Sequence, residues 1–108
     1  MEIWEEIELN EQAMSEAQRT LLPNWMNYCK AKQEYHIAKA KAILKLRTDG
    51  CPATLILDIV KGIDVVAELG YKRDIAEAIY KSNIEAINVY KQKANDLRMF
   101  FEKEYTKQ

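Results

Sequence analysis

Apolar residues recur at helical spacings through the middle of the chain. Downstream of Pro23, one stripe advances in steps of three and four residues: Tyr28, Ala31, Tyr35, Ala38, Ala42 and Leu46. This spacing is typical of one face of an α-helix. Cys29, Ile37, Ala40 and Leu44 fall on a different side of the same turns. Because a helix that is apolar on two sides has neighbours on two sides, residues 23–48 are predicted to form a helix with more than one packing partner.

A longer stripe occupies the last two fifths of the sequence. It consists of Val65, Leu69, Ala76, Tyr80, Asn83, Ile87, Tyr90, Ala94, Leu97, Phe101 and Tyr105. From Ala76 onward the steps alternate between four and three, as in coiled coils. The pattern predicts a helix over residues 64–105, roughly 60 Å long at 1.5 Å per residue.

Helix breakers separate the two stripes. Gly50 suits the left-handed conformation that ends many helices, and Pro52 suits the start of a new one. Between Pro52 and Gly62 the sequence is mostly apolar, which predicts a short helix over residues 53–61 that is largely buried.

The first 22 residues form an acidic segment with apolar positions at mostly helical spacings. Glutamates suit the first turns of a helix because its dipole favours negative charge there. The residue before a proline is pushed out of the α region, so this helix is expected to stop near Leu22. A kink at Pro23 is the alternative.

These elements predict an all-α fold: one domain of 108 residues built as a long, coiled-coil-like antiparallel helical hairpin with a short connecting helix and an N-terminal helical segment. Three glycines and two prolines in the whole chain agree with long helices. Antiparallel pairing is expected to place residue 28 beside about 83 and residue 11 beside about 100. Since helix 23–48 is too short to cover helix 64–105, the N-terminal segment and a second copy of the chain are both expected to cover its end, which predicts a homodimer or a higher homo-oligomer.

Charge is balanced over the chain but not along it. The net charge is −1, whereas residues 1–16 carry six glutamates and no base, and residues 30–47 carry six bases against Glu34 alone. The favoured interpretation is that the two segments pair within the fold. The alternative is a nucleic-acid contact through Lys30, Lys41 and Lys45, which share one flank of helix 23–48, with nearby tyrosines as stacking rings.

No catalytic or metal-binding constellation stands out. His36 is the single histidine and has no partner at metal-ligand spacing, and Cys29 and Cys51 do not form a metal or redox motif. No glycine-rich phosphate loop and no apolar run of membrane-spanning length occur. The sequence therefore predicts a cytoplasmic protein that is not an enzyme, needs no cofactor and does not contact a membrane.

Several short runs resemble a family. They include Tyr35-His36-Ile37-Ala38-Lys39-Ala40-Lys41, Leu46-Arg47-Thr48-Asp49-Gly50, Pro52-Ala53-Thr54-Leu55-Ile56, Val60-Lys61-Gly62, Val66-Ala67-Glu68-Leu69 and Arg73-Asp74-Ile75-Ala76-Glu77-Ala78-Ile79-Tyr80. Over about residues 28–105 the chain is similar to small uncharacterised helical proteins encoded by phages and prophages of Gram-positive bacteria, often near recombination or replication genes. The resemblance implies a phage or prophage origin and does not assign a function to any residue.

Two functions are consistent with these features. The first is a non-enzymatic phage-type accessory protein that binds a host or phage protein through exposed helical faces. The alternative is a DNA-associated accessory protein of phage recombination or replication.

Overall fold

The computed structural model describes residues 2–106, which form three helices. Helix α1 spans Ile3–Thr48, α2 spans Ala53–Lys61 and α3 spans Asp64–Thr106. The predicted all-α class and the helical hairpin are confirmed, and the predicted bounds of α2 and of the long C-terminal helix agree within one residue. The chain separates into two compact units: unit 1 joins the residues up to Asn24 with those from Tyr80 onward, and unit 2 is Trp25–Ile79.

Unit 1 pairs the first half of α1 with the second half of α3. The ring of Trp4 packs edge-on against Phe101 with centroids 5.0 Å apart. Farther along, Asn10 Nδ2 donates a hydrogen bond of 2.9 Å to the carbonyl oxygen of Tyr90. Because contacts advance along α1 as they retreat along α3, the two segments are antiparallel. The N-terminal segment therefore covers Phe101, as expected.

Unit 2 is a helical hairpin in its own right. The hydroxyl of Tyr28 donates to the carboxylate of Glu77 at 2.9 Å, and the ring of Tyr35 lies against Gly70. Helix α2 connects the two long helices and buries Ile56 and Val60.

Gly50 caps the C-terminal end of α1. Its φ of +83° is the left-handed conformation predicted from the sequence. Gly50 N donates to Arg47 O at 3.1 Å, and Cys51 N donates to Leu46 O at 2.9 Å. These two bonds form a Schellman motif, which satisfies carbonyl groups that the helix end leaves free.

The predicted helix end at Leu22 is wrong, because α1 continues through Pro23 without interruption. Proline in a helix interior removes one backbone hydrogen bond and is normally disruptive. Here Thr20 and Asn24, on either side of Pro23, both donate to Asn83 Oδ1, at 3.2 and 2.8 Å. We conclude that tertiary contacts on the flanking turns outweigh the local preference of the proline.

The predicted pairing register is also wrong. Tyr28 was expected beside residue 83 and contacts Glu77, six positions earlier (83 − 77 = 6). With Tyr35 beside Gly70, stepping seven residues along each helix places residue 42 beside residue 63, so residues 43–48 extend past the first residue of α3. The prediction overlooked that a connecting helix with two buried side chains needs a surface to pack on at this end of unit 2.

Candidate interaction surface

The residues predicted to form the packing stripe are all buried or half-buried. They are Tyr28, Ala31, Tyr35, Ala38, Ala42, Tyr80, Ile87, Tyr90, Ala94, Leu97 and Phe101. Their contacts are therefore largely within the chain. The tyrosines of α1 are not free stacking rings, since the Tyr28 hydroxyl binds Glu77 and the Tyr35 ring packs on Gly70.

Tyr35 is also enclosed by cations. The guanidinium of Arg73 lies 4.1 Å from the centre of the ring and the ammonium of Lys39 lies 5.8 Å from it. The carboxylate of Asp74 accepts bonds of 3.0 and 2.9 Å from Arg73, which raises the pKa of the guanidinium and fixes it as a cation. Cation–π attraction of this kind stabilises the packed position of the tyrosine.

Asn83 forms the polar centre of unit 1. It is buried, its Oδ1 accepts bonds from Thr20 and Asn24, and its Nδ2 donates to the carbonyl oxygen of Ala17 at 2.8 Å. Every polar atom of the amide is thereby paired, as burial of an amide requires.

The candidate nucleic-acid residues lie at the surface. Lys30, Lys41 and Lys45 are exposed and form no ion pair within residues 2–106. Lys32, on the other flank, lies over the Tyr28 ring at 5.7 Å. The three lysines are thus cations available to a partner.

The acidic segment is also short of partners. Among the described residues, Glu16 is the one glutamate of the segment with an ion pair, which it forms with Arg19 one turn along. Arg19 Nε donates to it at 3.1 Å, and this hydrogen bond and the guanidinium charge lower the pKa of the carboxyl. The expected pairing of residues 1–16 with residues 30–47 is not observed among the described side chains. Residues 3–16 and 30–47 both belong to α1, which has no turn between them.

A groove of about 880 Å³ opens in unit 2 between α1 and the start of α3. Its floor is apolar and consists of Ile37, Ala38, Ala42, Leu46, Ile63, Val65 and Leu69. Glu34, Lys41, Lys45 and Asp49 form its rim, with the two lysines between the two acids along the chain. We call this feature the lysine groove. The small side chains of Ala38 and Ala42 leave the groove open. The sequence predicted this alanine stripe but not the groove beside it.

Helix α2 presents a second apolar surface. Ile56 and Val60 are buried, but Leu55, Leu57 and Ile59 are 48, 60 and 42% exposed. The expectation that this helix is largely buried is therefore wrong. Its nine residues are apolar on nearly all sides, and the hairpin covers only one of them. Leu55 and Ile59 are one turn apart and lie on the same side of the helix, whereas Leu57 lies on the opposite edge of the buried side. We call the side chains of Leu55 and Ile59 the α2 face.

The chain matches no protein-family model, no curated protein and no solved structure. No helix in the described part of the chain is long and apolar enough to cross a membrane. Within residues 2–106, no group of three or more histidine, cysteine, aspartate or glutamate side chains is placed to hold a metal ion.

Proposed function

We propose that the protein is a non-enzymatic accessory protein, of the phage-encoded type that its sequence resembles, and that it binds a partner protein through the α2 face. The exposure of Leu55 and Ile59, one turn apart on the same side of a short helix, carries the proposal. Clustered exposed apolar side chains of this kind mark interaction sites, whereas single ones do not.

Affinity capture from a Gram-positive bacterial lysate tests the α2 face. Leu55→Asp/Ile59→Asp places charge on both of its side chains, while Thr54→Asp places charge on an exposed polar position of the same helix. We expect a specific protein to be retained by the wild type and by Thr54→Asp and to be lost with the double variant. Once purified, that protein should bind with an affinity that changes little between about 50 and 200 mM salt, because the contact is mainly apolar.

Two results would count against the proposal. One is that the same set of proteins is captured by the wild type and by Leu55→Asp/Ile59→Asp, with helicity by circular dichroism unchanged. The other is a captured protein whose retention depends on nucleic acid and disappears after nuclease treatment.

A DNA-associated accessory role is the second candidate. It is favoured by the three exposed, unpaired lysines on one flank of α1, Lys30, Lys41 and Lys45. Fluorescence anisotropy with labelled single- and double-stranded DNA tests it. Phosphate contacts predict binding that falls steeply with salt and is abolished by Lys30→Glu/Lys41→Glu/Lys45→Glu with helicity intact. The absence of binding at low salt would remove this candidate.

A further inference from the structure

We propose that the lysine groove binds the acidic segment, residues 2–16, of a second copy of the chain. Five of the six glutamates in that segment form no ion pair among the described residues, and neither do the two lysines on the rim of the groove. One chain thus displays an acidic and a basic surface that are both unpaired. Complementary charges of this kind select a partner and align it.

The acidic segment has a side that fits the groove. Glu5 and Leu9 are four residues apart in α1, and Glu2 directly precedes the helix, with its carbonyl oxygen accepting a hydrogen bond of 3.2 Å from Glu6 N. The three residues therefore share one side of the first turns. Leu9 is 52% exposed although it is a large apolar residue. Docked with this side inward, the segment places Leu9 on the apolar floor and directs its two carboxylates toward the rim.

The groove matches this side of the segment in length and in the spacing of its charges. Residues 2–16 rise roughly 22 Å as a helix, and the rim from Glu34 to Asp49 covers about the same rise. Lys41 and Lys45 are one helical turn apart, the spacing needed to meet Glu2 and Glu5. Glu34 and Asp49 lie at the two ends of the rim, where they limit how far an acidic helix can slide.

A second copy is the occupant because α1 has no turn that would return the segment to its own groove. Each copy carries one segment and one groove, so two copies can exchange both contacts about a two-fold axis. Such an interface is closed and self-complementary, as in most homodimers. The α2 face takes no part in it, and this inference stands or falls independently of the α2 partner.

Charge reversal with heterodimer rescue tests the contact. Lys41→Glu/Lys45→Glu gives an acidic groove, and Glu2→Lys/Glu5→Lys gives a basic segment. In sedimentation equilibrium the wild type is expected to dimerise, and each variant alone is expected to dissociate at least about tenfold more readily, since each dimer has two such contacts and attraction becomes repulsion in both. Mixing the two variants is expected to restore a 1:1 dimer, because both contacts regain opposite charges.

The matched control is Lys91→Glu/Lys93→Glu, which makes the same change of charge at exposed positions of α3 outside the groove. It is expected to dimerise like the wild type. Leu9→Ala is expected to weaken the dimer at moderate salt, where the ionic contribution is screened over about 8 Å.

Four outcomes would overturn the inference. They are a wild type that stays monomeric at all concentrations, a dimer insensitive to Lys41→Glu/Lys45→Glu, a mixture of the two folded charge variants that does not associate, and a control that dissociates as readily as the groove variant. Salt-sensitive DNA binding by a monomer, lost in Lys41→Glu/Lys45→Glu, would assign the lysines to nucleic acid instead.

Discussion

Buried amides specify how α1 and α3 meet in unit 1. Asn83 lies in the otherwise apolar stripe of α3, and Asn10 on α1 is buried beside the Tyr90 carbonyl. A buried asparagine contributes little net stability, but sliding the helices by one turn would leave its amide unpaired. This is how a single polar residue specifies register in coiled coils.

Replacing Asn83 by alanine should therefore destabilise the protein. The change removes the hydrogen bond to the Ala17 carbonyl and leaves the Asn24 amide without its Asn83 partner, at a cost of about 2 kcal/mol in the free energy of unfolding. Urea denaturation followed by circular dichroism measures it. Asn88→Ala, at an exposed position of the same helix, should change that free energy by less than about 0.5 kcal/mol. Equal effects of the two substitutions would show that the Asn83 contacts do not stabilise the fold.

Gly70 is explained by the ring of Tyr35. A Cβ atom at position 70 would lie 3.3 Å from Tyr35 Cε2, closer than ordinary packing. Alanine is favoured over glycine in a helix by about 1 kcal/mol, so the gain in propensity and the crowding oppose each other.

A double-mutant cycle separates these two effects. Gly70→Ala should leave the free energy of unfolding nearly unchanged in the wild type, and should raise it by about 1 kcal/mol in a Tyr35→Ala background, where the crowding is gone. Urea unfolding of the four proteins gives the coupling. An identical effect of Gly70→Ala in both backgrounds would mean that the ring does not restrict position 70.

At the scale of the helix, the effect of Pro23→Ala on the free energy of unfolding has opposite signs in a continuous α1 and in a helix that starts at Pro23. In a continuous α1, Pro23→Ala restores a backbone hydrogen bond and removes the steric conflict with residue 19, so it should stabilise the protein by about 1–3 kcal/mol. At a helix start, where proline is favourable, the same substitution would destabilise. Thermal and urea unfolding measure the sign, and Leu22→Ala, at an exposed neighbouring position, is the control expected to change little.

The sequence predicted the helices better than it predicted their contacts. Periodicity and the short runs Asp49-Gly50 and Gly62-Ile63-Asp64 locate three helix ends, since those signals are local. The Pro23 and register predictions failed because each depends on distant residues: the Asn83 network in one case and the buried side of α2 in the other. Helix α2 shows the same limit, since an apolar residue reveals its preference for burial but not whether a neighbour is present to bury it.

The candidate interaction surface shows the same difference between local features, which the sequence predicted, and contacts, which it did not. The sequence located the lysine flank and the alanine stripe, but not that Ala38 and Ala42 would form the floor of a groove with Lys41 and Lys45 at its rim. It also favoured pairing of the acidic and basic segments within one chain. That pairing is not observed among the described side chains, and with α1 continuous the same complementarity points to contacts between chains.

For the whole molecule, pairing between chains makes stability depend on concentration. A dimer that dissociates on unfolding gains about 0.7 kcal/mol per chain for each tenfold rise in protein concentration, half of the 1.4 kcal/mol that mass action contributes per dimer. For a chain of this length the wild-type Tm should then rise by roughly 3–5 °C per tenfold increase. The Tm of Lys41→Glu/Lys45→Glu should stay constant over the same range, and added salt should flatten the wild-type dependence. A wild-type Tm that does not change with concentration would mean that the folded chain needs no second copy, and the unpaired charges of α1 would then have to serve a different macromolecule.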